Sequence, residues 1–148
     1  MTPLSRRAAL VLTIAALAGC GGGANAKAPQ GRGEVNRLIS HYARVYDVPE
    51  SLVHRVVKRE SGYNPAARNG PYMGLMQIHP NTARGMGYRG SPSGLLDPDT
   101  NLKFAVKYLR GAWLVSGGNH DAAVKWYARG YYYEAKRLGL LDETGLRG

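Results

Sequence analysis

The sequence predicts an all-α fold built from about five to seven helices. Three observations support this class: apolar residues recur three and four positions apart in several segments, clusters of Gly, Pro and Asn separate those segments, and no segment alternates apolar and polar residues as a half-buried strand would. The 148-residue chain has room for one domain once an N-terminal targeting segment is set aside.

Residues 1–19 have the layout of a secretory signal. Arg6 and Arg7 precede an apolar run over residues 8–17, which is shorter than the roughly 20 residues that a membrane span needs. Residues 17–20, Leu-Ala-Gly-Cys, resemble the lipobox of bacterial lipoproteins, which implies that Cys20 is the lipidated first residue of the mature chain. We therefore expect export to the periplasmic side of the envelope and a lipid anchor in the outer membrane. The alternative is a signal peptide with an incidental cysteine. Because Cys20 is the only cysteine of the chain, an internal disulfide is excluded.

The charge of the chain is strongly basic. Its formal net charge of +10 becomes +8 when Arg6 and Arg7 are removed with the signal. Such a domain attracts polyanions, and an exported one meets wall peptides rich in carboxylates and anionic lipid head groups rather than nucleic acid. We expect a monomer without a nucleic-acid partner. The alternative is that the charge only aids solubility.

The first helix follows a flexible tether. Residues 20–33 are rich in glycine and show no apolar period, which is typical of a linker. The domain itself is expected to occupy residues 34–148. Its first amphipathic helix is predicted over about residues 34–46 from these apolar positions: Val35, Leu38, Ile39, Tyr42, Val45 and Tyr46.

A second helix is predicted to begin near Asp47 and to end at Gly62. Asp47 and Glu50 have the spacing of a capping box, and Pro49 is tolerated in a first helical turn. One face of this helix combines three valines with an acidic residue: Val53, Val56, Val57 and Glu60.

The rest of the chain is predicted to be loop followed by further helices. Residues 63–99 are rich in Gly, Pro and Asn, with one short helix near residues 81–86. The later helices have these predicted limits: from Asp99 or Thr100 to Gly117, from Asn119 or Asp121 through Tyr127, and from about residue 131 to 138.

Glu60 lies where the pattern of the second helix predicts an apolar contact. A carboxyl at such a position is partly desolvated, and the carbonyl end of a helix adds negative partial charge. Both effects raise its pKa, so that the neutral acid can donate a proton. From the helix pattern alone, a glutamate that only pairs with a neighbouring cation is the more common case. The surrounding motif favours the catalytic interpretation.

Two ordered blocks carry a family resemblance. Residues 60–67, ESGYNPAA, and residues 74–78, GLMQI, resemble the catalytic domain of soluble-type lytic transglycosylases, relatives of goose-type lysozyme. Three further segments agree with the family: residues 80–83, then Asp97, Pro98, Asn101, Leu102, Tyr108 and Leu109, and finally Ala123, Tyr127 and Gly130. The likeness covers about residues 45–135. The resemblance implies a lysozyme-like single domain with a glycan-binding groove, whose substrate is the glycan strand of peptidoglycan.

The resemblance also implies roles for site residues. Glu60 is expected to be the single catalytic acid and base. The residues implied for substrate binding are Ser61, which supports the site by hydrogen bonding, Gly74, Met76 and Gln77, which line the sugar groove, and Tyr127, which reaches toward the carboxyl. One position departs from the family, because Ala128 stands where the family has an asparagine.

Three of these residues also have a physical rationale. Glycine lets backbone donors approach a sugar, glutamine offers a donor and an acceptor to an N-acetyl group, and methionine packs adaptably against a ring face. The alternative for the apolar members of residues 73–78, and for Tyr127, is plain core filling.

The expected reaction needs only one carboxylate. Most glycoside hydrolases use two, and no second acid stands beside Glu60 in the sequence. The resemblance implies that the N-acetyl group of N-acetylmuramic acid acts as the nucleophile at the bond to N-acetylglucosamine. Glu60 would then serve twice and leave a 1,6-anhydro product. The alternatives are a muramidase that hydrolyses the same bond and a non-catalytic wall-binding lipoprotein. With no zinc or phosphate-loop motif, we expect no metal and no cofactor.

Overall fold

The computed structural model describes residues 31–147, and helices dominate this part of the chain. The predicted signal, Cys20 and residues 20–30 of the tether lie outside the described residues. The α-helices are α1 (Arg32–Val45), α2 (Glu50–Ser61), α3 (Pro80–Gly85), α4 (Pro98–Val115), α5 (His120–Arg129) and α6 (Tyr132–Leu138), and a short 3₁₀ helix spans Pro92–Leu96. The all-α prediction is confirmed. None of the helices within residues 31–147 is long and apolar enough to cross a membrane.

Helix α4 is the central element of the fold. It contacts α1, α3, α5, α6 and the 3₁₀ helix. Along its length, Leu102, Val106 and Leu109 are fully buried. Gly111 lets α6 approach, because a side chain there would overlap the ring of Tyr131. The hydroxyl of Tyr131 instead donates a hydrogen bond to the carbonyl of Tyr108 on α4 at 2.7 Å.

The start of α2 differs from the prediction. The helix begins at Glu50 after Pro49, and Asp47 lies before it with a φ of 50°, so the predicted capping box at Asp47 is wrong. Glu50 instead accepts a hydrogen bond from the hydroxyl of Ser40 on α1 at 2.6 Å. The predicted end is confirmed, because Gly62 has a left-handed φ of 58° and its N–H donates to the carbonyl of Lys58.

Helices α4 and α5 begin at side-chain caps. Asp97 accepts from the N–H of Thr100 at 3.0 Å, so α4 begins a residue before the predicted limit. Asn119 accepts from the N–H of Ala122 at 2.9 Å and caps α5 as predicted.

A small hairpin that the sequence did not predict lies between α2 and α3. Strands β1 (Arg68–Asn69) and β2 (Tyr72–Met73) pair antiparallel, and the backbone of Met73 exchanges two hydrogen bonds with Ile78, each 3.1 Å long. Strands of two residues are too short to show an alternating pattern. The hairpin folds the loop after α2 back toward the carboxyl end of that helix.

Candidate active site

Glu60 lies in the last turn of α2 and faces a cavity of about 470 Å³. The lining residues are Arg59, Glu60, Ser61, Ala67, Arg68, Asn69, Tyr72, Gln77, Tyr127 and Ala128. A neighbouring cavity of about 240 Å³ shares Tyr72, Gln77, Tyr127 and Ala128 with it and adds Ile78, His79, Thr82, Tyr108, Arg129 and Gly130. Since the two cavities share four lining residues, they adjoin, and together they are called the groove below.

The surroundings of Glu60 raise its pKa above that of an ordinary glutamate. The side chain is 23% exposed, and its Oε1 lies 3.6 Å from Nε of Arg59. Burial raises the pKa of Glu60, and the positive charge of Arg59 partly offsets that rise. Among the described residues that line the groove, Glu60 carries the only carboxyl. The groove therefore presents one proton donor of this kind to a bound molecule.

Ser61 supports the wall of the groove rather than Glu60 directly. Its hydroxyl donates to the carbonyl of Leu75 at 2.7 Å and lies 3.2 Å from the carbonyl of Val57 one turn earlier. This bond ties the loop of residues 74–78 to the end of α2. Ser61 thus holds the loop at a fixed distance from the helix that carries Glu60.

Tyr127 links α5 to the same loop. Its buried hydroxyl donates to the carbonyl of Met76 at 2.9 Å, and its ring lies 5.5 Å from that of Tyr108, centroid to centroid. Burial, followed by the negative charge of Glu60, raises the pKa of Tyr127 well above its ordinary value. The phenol therefore stays protonated and acts as a hydrogen-bond donor, in the same cavity as Glu60.

Gln77 lies on the wall of both cavities. It has a left-handed φ of 48°, and its Nε2 donates to the carbonyl of Ala67 at 3.1 Å and to that of Gly74 at 3.0 Å. These bonds close the loop on itself and fix the amide at the centre of the groove.

Neither the side chain of Met76 nor the Cα atom of Gly74 lies on the surface of the groove. The Met76 side chain is fully buried in the core, and Gly74 is also buried. This corrects the expectation that the thioether packs against a sugar ring and that the glycine opens the backbone to a ligand. Both residues instead act through the backbone: Gly74 adopts a φ of 73° and lies against Asn101, and Met76 offers its carbonyl to Tyr127.

Asn101 is the buried residue on which the loop is built. Its Nδ2 donates to the carbonyls of Met73 and Leu95, both at 2.8 Å, and its Oδ1 accepts from the N–H of Met76 at 3.0 Å. The sequence pattern did not single it out for the site. The available signal was an asparagine beside the apolar positions of the predicted helix, because a polar side chain that is buried there needs hydrogen-bond partners.

Other groove residues were also missed by the sequence reasoning. They come from the hairpin, α3, α4 and the end of α5: Asn69, Tyr72, His79, Thr82, Tyr108 and Arg129. Ala128 is exposed and borders both cavities, so the position that departs from the family faces the groove. No group of three or more His, Cys, Asp or Glu side chains within residues 31–147 is placed to hold a metal ion.

Residues 37–139 match the model of one protein family, described as the transglycosylase SLT domain. Among curated proteins, the chain is 34% identical over 104 residues to the soluble lytic murein transglycosylase of Salmonella typhimurium, which covers 64% of this chain and 16% of that protein. It is 38% identical over 82 residues to the membrane-bound lytic murein transglycosylase E of Buchnera aphidicola, covering 50% and 37%. The chain thus spans a minor part of the length of these relatives.

Solved structures give the same result. The crystal structure of the 70 kDa soluble lytic transglycosylase from Escherichia coli superposes with a TM-score of 0.61 and 28% sequence identity, over 74% of this chain and 19% of that one. A complex of the 70 kDa soluble lytic transglycosylase with bulgecin A gives a TM-score of 0.62 at the same identity and coverage.

Proposed function

The chain belongs to the transglycosylase SLT domain family, and from that premise we propose that it is a peptidoglycan lytic transglycosylase. It would cut the β-1,4 bond between N-acetylmuramic acid and N-acetylglucosamine and leave a 1,6-anhydro end. One observation carries the proposal: a partly buried carboxyl with a raised pKa, that of Glu60, faces a groove that both Gln77 and Tyr127 line. The names of the relatives support the substrate class.

Glu60 performs both proton transfers in this mechanism. As the neutral acid it protonates the glycosidic oxygen, so that the bond to C1 breaks while the substrate's own N-acetyl oxygen stabilises C1. The resulting carboxylate then takes the proton of the C6 hydroxyl as that oxygen attacks C1, which closes the anhydro ring and restores the acid. No water is consumed. A single carboxyl among the described groove residues fits this route better than a two-carboxylate hydrolysis.

The neighbours of Glu60 position the glycan. Gln77 lines the groove, and because its Nε2 already donates to two backbone carbonyls, its Oε1 is the atom left to accept a hydrogen bond from an N-acetyl N–H. Ser61 and Tyr127 act through the loop of residues 74–78, whose carbonyls they hold. Arg59 and Arg68 border the cavity of Glu60 and bring positive charge to a substrate whose peptides carry carboxylates.

The cellular part of the proposal rests on the N-terminal sequence. We propose an exported monomer with a lipid anchor at Cys20 in the outer membrane. The lipobox-like residues 17–20 support export and the anchor, and the glycine-rich segment up to residue 31, where helix α1 follows, supports a tether. The Cys20→Ser variant should fractionate as a soluble exported protein, whereas the parent should partition with membranes. Equal fractionation of the two would refute the anchor without touching the enzymatic proposal.

The enzymatic proposal is tested by product analysis with Glu60→Gln. An amide of the same shape cannot donate and retrieve a proton, so the release of 1,6-anhydro muropeptides from purified sacculi should fall by about 10²–10⁴-fold. Mass spectrometry decides among the alternatives. Reducing-end products from the parent would indicate a muramidase, and binding to sacculi without any product would indicate a wall-binding protein.

A further inference from the structure

A group of exposed aromatic side chains lies where α5 passes into α6. Tyr133 is 83% exposed and Tyr132 is 46% exposed, although both rings are large and apolar. They border a shallow cavity of about 520 Å³, here called the aromatic shelf. Its lining residues are Trp126, Arg129, Gly130, Tyr131, Tyr132, Tyr133, Glu134 and Arg137. The folded core does not need Tyr133, and clustered exposed apolar groups of this kind mark binding surfaces.

The shelf has defined geometry and excess positive charge. The guanidinium of Arg129 lies 3.8 Å from the ring centroid of Trp126, and the rings of Tyr132 and Tyr133 stand nearly perpendicular, 5.4 Å apart. Its acid, Glu134, already pairs with Arg137 at 2.6 Å. The hydrogen bond from Arg137 lowers the pKa of Glu134, and the charge of Arg129 also acts on Glu134 and lowers its pKa. Because two arginines face one glutamate on the shelf, a net positive charge remains to attract an anionic group.

The shelf is continuous with the groove. Arg129 and Gly130 line both the smaller cavity of the groove and the shelf. A linear polymer that lies past Tyr127 and leaves the groove at this end therefore reaches Tyr132 and Tyr133 next. A small substrate that fills only the cavity beside Glu60 does not.

We propose that the aromatic shelf binds the continuation of the glycan strand whose cleavage is proposed above. The apolar faces of its sugar rings would stack on Tyr132 and Tyr133, whose phenol groups can bond sugar hydroxyls. Arg129 would face carboxylates on the lactyl groups or stem peptides. The inference rests on the proposed function for the identity of the polymer, and it makes the enzyme selective for long strands.

The first test measures binding without turnover. In a Glu60→Gln background, the double change Tyr132→Ser and Tyr133→Ser should raise the Kd for long, peptide-free glycan strands about fivefold. This corresponds to a loss of about 1 kcal/mol in binding free energy. Binding of a tetrasaccharide fragment should not change. The matched control is Val45→Ser, which removes an exposed apolar side chain (54% exposed) from α1, an element that packs on α2 and α4. The control should bind both ligands as the Glu60→Gln protein does.

The outcomes separate the shelf from the enzymatic proposal. Three results would refute glycan binding by the shelf. The tyrosine changes weaken the affinity for long and short glycans equally, they weaken neither affinity, or the Glu60→Gln protein itself does not bind long strands. Loss of binding to anionic phospholipid vesicles with unchanged glycan binding would overturn it in favour of a membrane contact. The two proposals can also fail separately. If binding depends on strand length and on the two tyrosines but the parent protein releases no anhydro product, the result supports glycan binding by the shelf and refutes the enzymatic proposal.

Discussion

Gly74 lies so close to Asn101 that a Cβ atom on the glycine would overlap the side-chain amide and would lie 2.5 Å from the carbonyl oxygen of Leu95. This contact lets Asn101 reach the carbonyl of Met73 and the N–H of Met76, on either side of the glycine. The loop that borders the groove is therefore held from the core by one buried amide. The hydroxyls of Ser61 and Tyr127 hold the same loop from α2 and α5.

Gly74→Ala should destabilise the fold more than Gly70→Ala. Both glycines have positive φ, 73° and 55°, so both substitutions incur a backbone cost of about 1 kcal/mol. Only at Gly74 does the new methyl group meet other atoms, while Gly70 has open space. We expect losses in the free energy of unfolding of more than about 2 kcal/mol for Gly74→Ala and about 1 kcal/mol for Gly70→Ala. Urea denaturation measures both, and equal losses would contradict the tight contact with Asn101.

Tyr127→Phe should reduce turnover, whereas Tyr88→Phe should not. Each substitution removes one hydroxyl that donates to a backbone carbonyl, at 2.9 Å for Tyr127 and 2.7 Å for Tyr88, so each should cost about 1 kcal/mol of stability. Only Tyr127 lines the cavity of Glu60 and fixes Met76. Rates of anhydro-muropeptide release at a temperature where both variants are folded provide the comparison. A similar loss of rate in both would mean that general stability, not the loop, sets activity.

Arg59→Gln should move the alkaline limb of the pH profile to higher pH. The charge of Arg59 lowers the pKa of Glu60 against the larger effect of burial, so its removal leaves the pKa higher. The reaction begins with protonated Glu60, and the protonated fraction then persists to higher pH. The shift should be small and should shrink with added salt, because Arg59 is 53% exposed. Lys58→Gln is the control, since it removes the same charge one residue away. An equal shift there would indicate overall charge rather than the Arg59–Glu60 contact.

Ala128→Asn should change the rate without changing the bond that is cut. The residue borders both cavities and is exposed, so the added amide faces the groove next to Tyr127. If it restores one hydrogen bond to the glycan, kcat/KM should rise several-fold, on the order of 1 kcal/mol. A neutral or harmful effect would indicate that Arg129 already fills this role. Release of 1,6-anhydro muropeptides at matched protein concentration is the measurement, and a switch to reducing-end products would contradict this placement of residue 128.

The helices and the position of Glu60 among them could be predicted from the sequence. Apolar spacing and local signals, such as Gly62 after α2 and Asn119 before α5, act within a few residues of each other, so a linear pattern contains them. The same pattern placed Glu60 on a face with three valines. That placement is consistent with its partial burial and raised pKa in the folded chain.

The wall of the groove was decided by tertiary structure alone. Whether Met76 faces a ligand or the core depends on Asn101, which is 25 residues away in sequence, and on Tyr127, which is 51 residues away. A positive φ at Gln77 and the two-residue strands of the hairpin likewise leave no periodic trace. The aromatic shelf meets the groove only because α5 ends at Arg129 and turns at Gly130 into α6. Local sequence sets which segments are helical, but contacts between distant segments determine which atoms those helices bring to one surface.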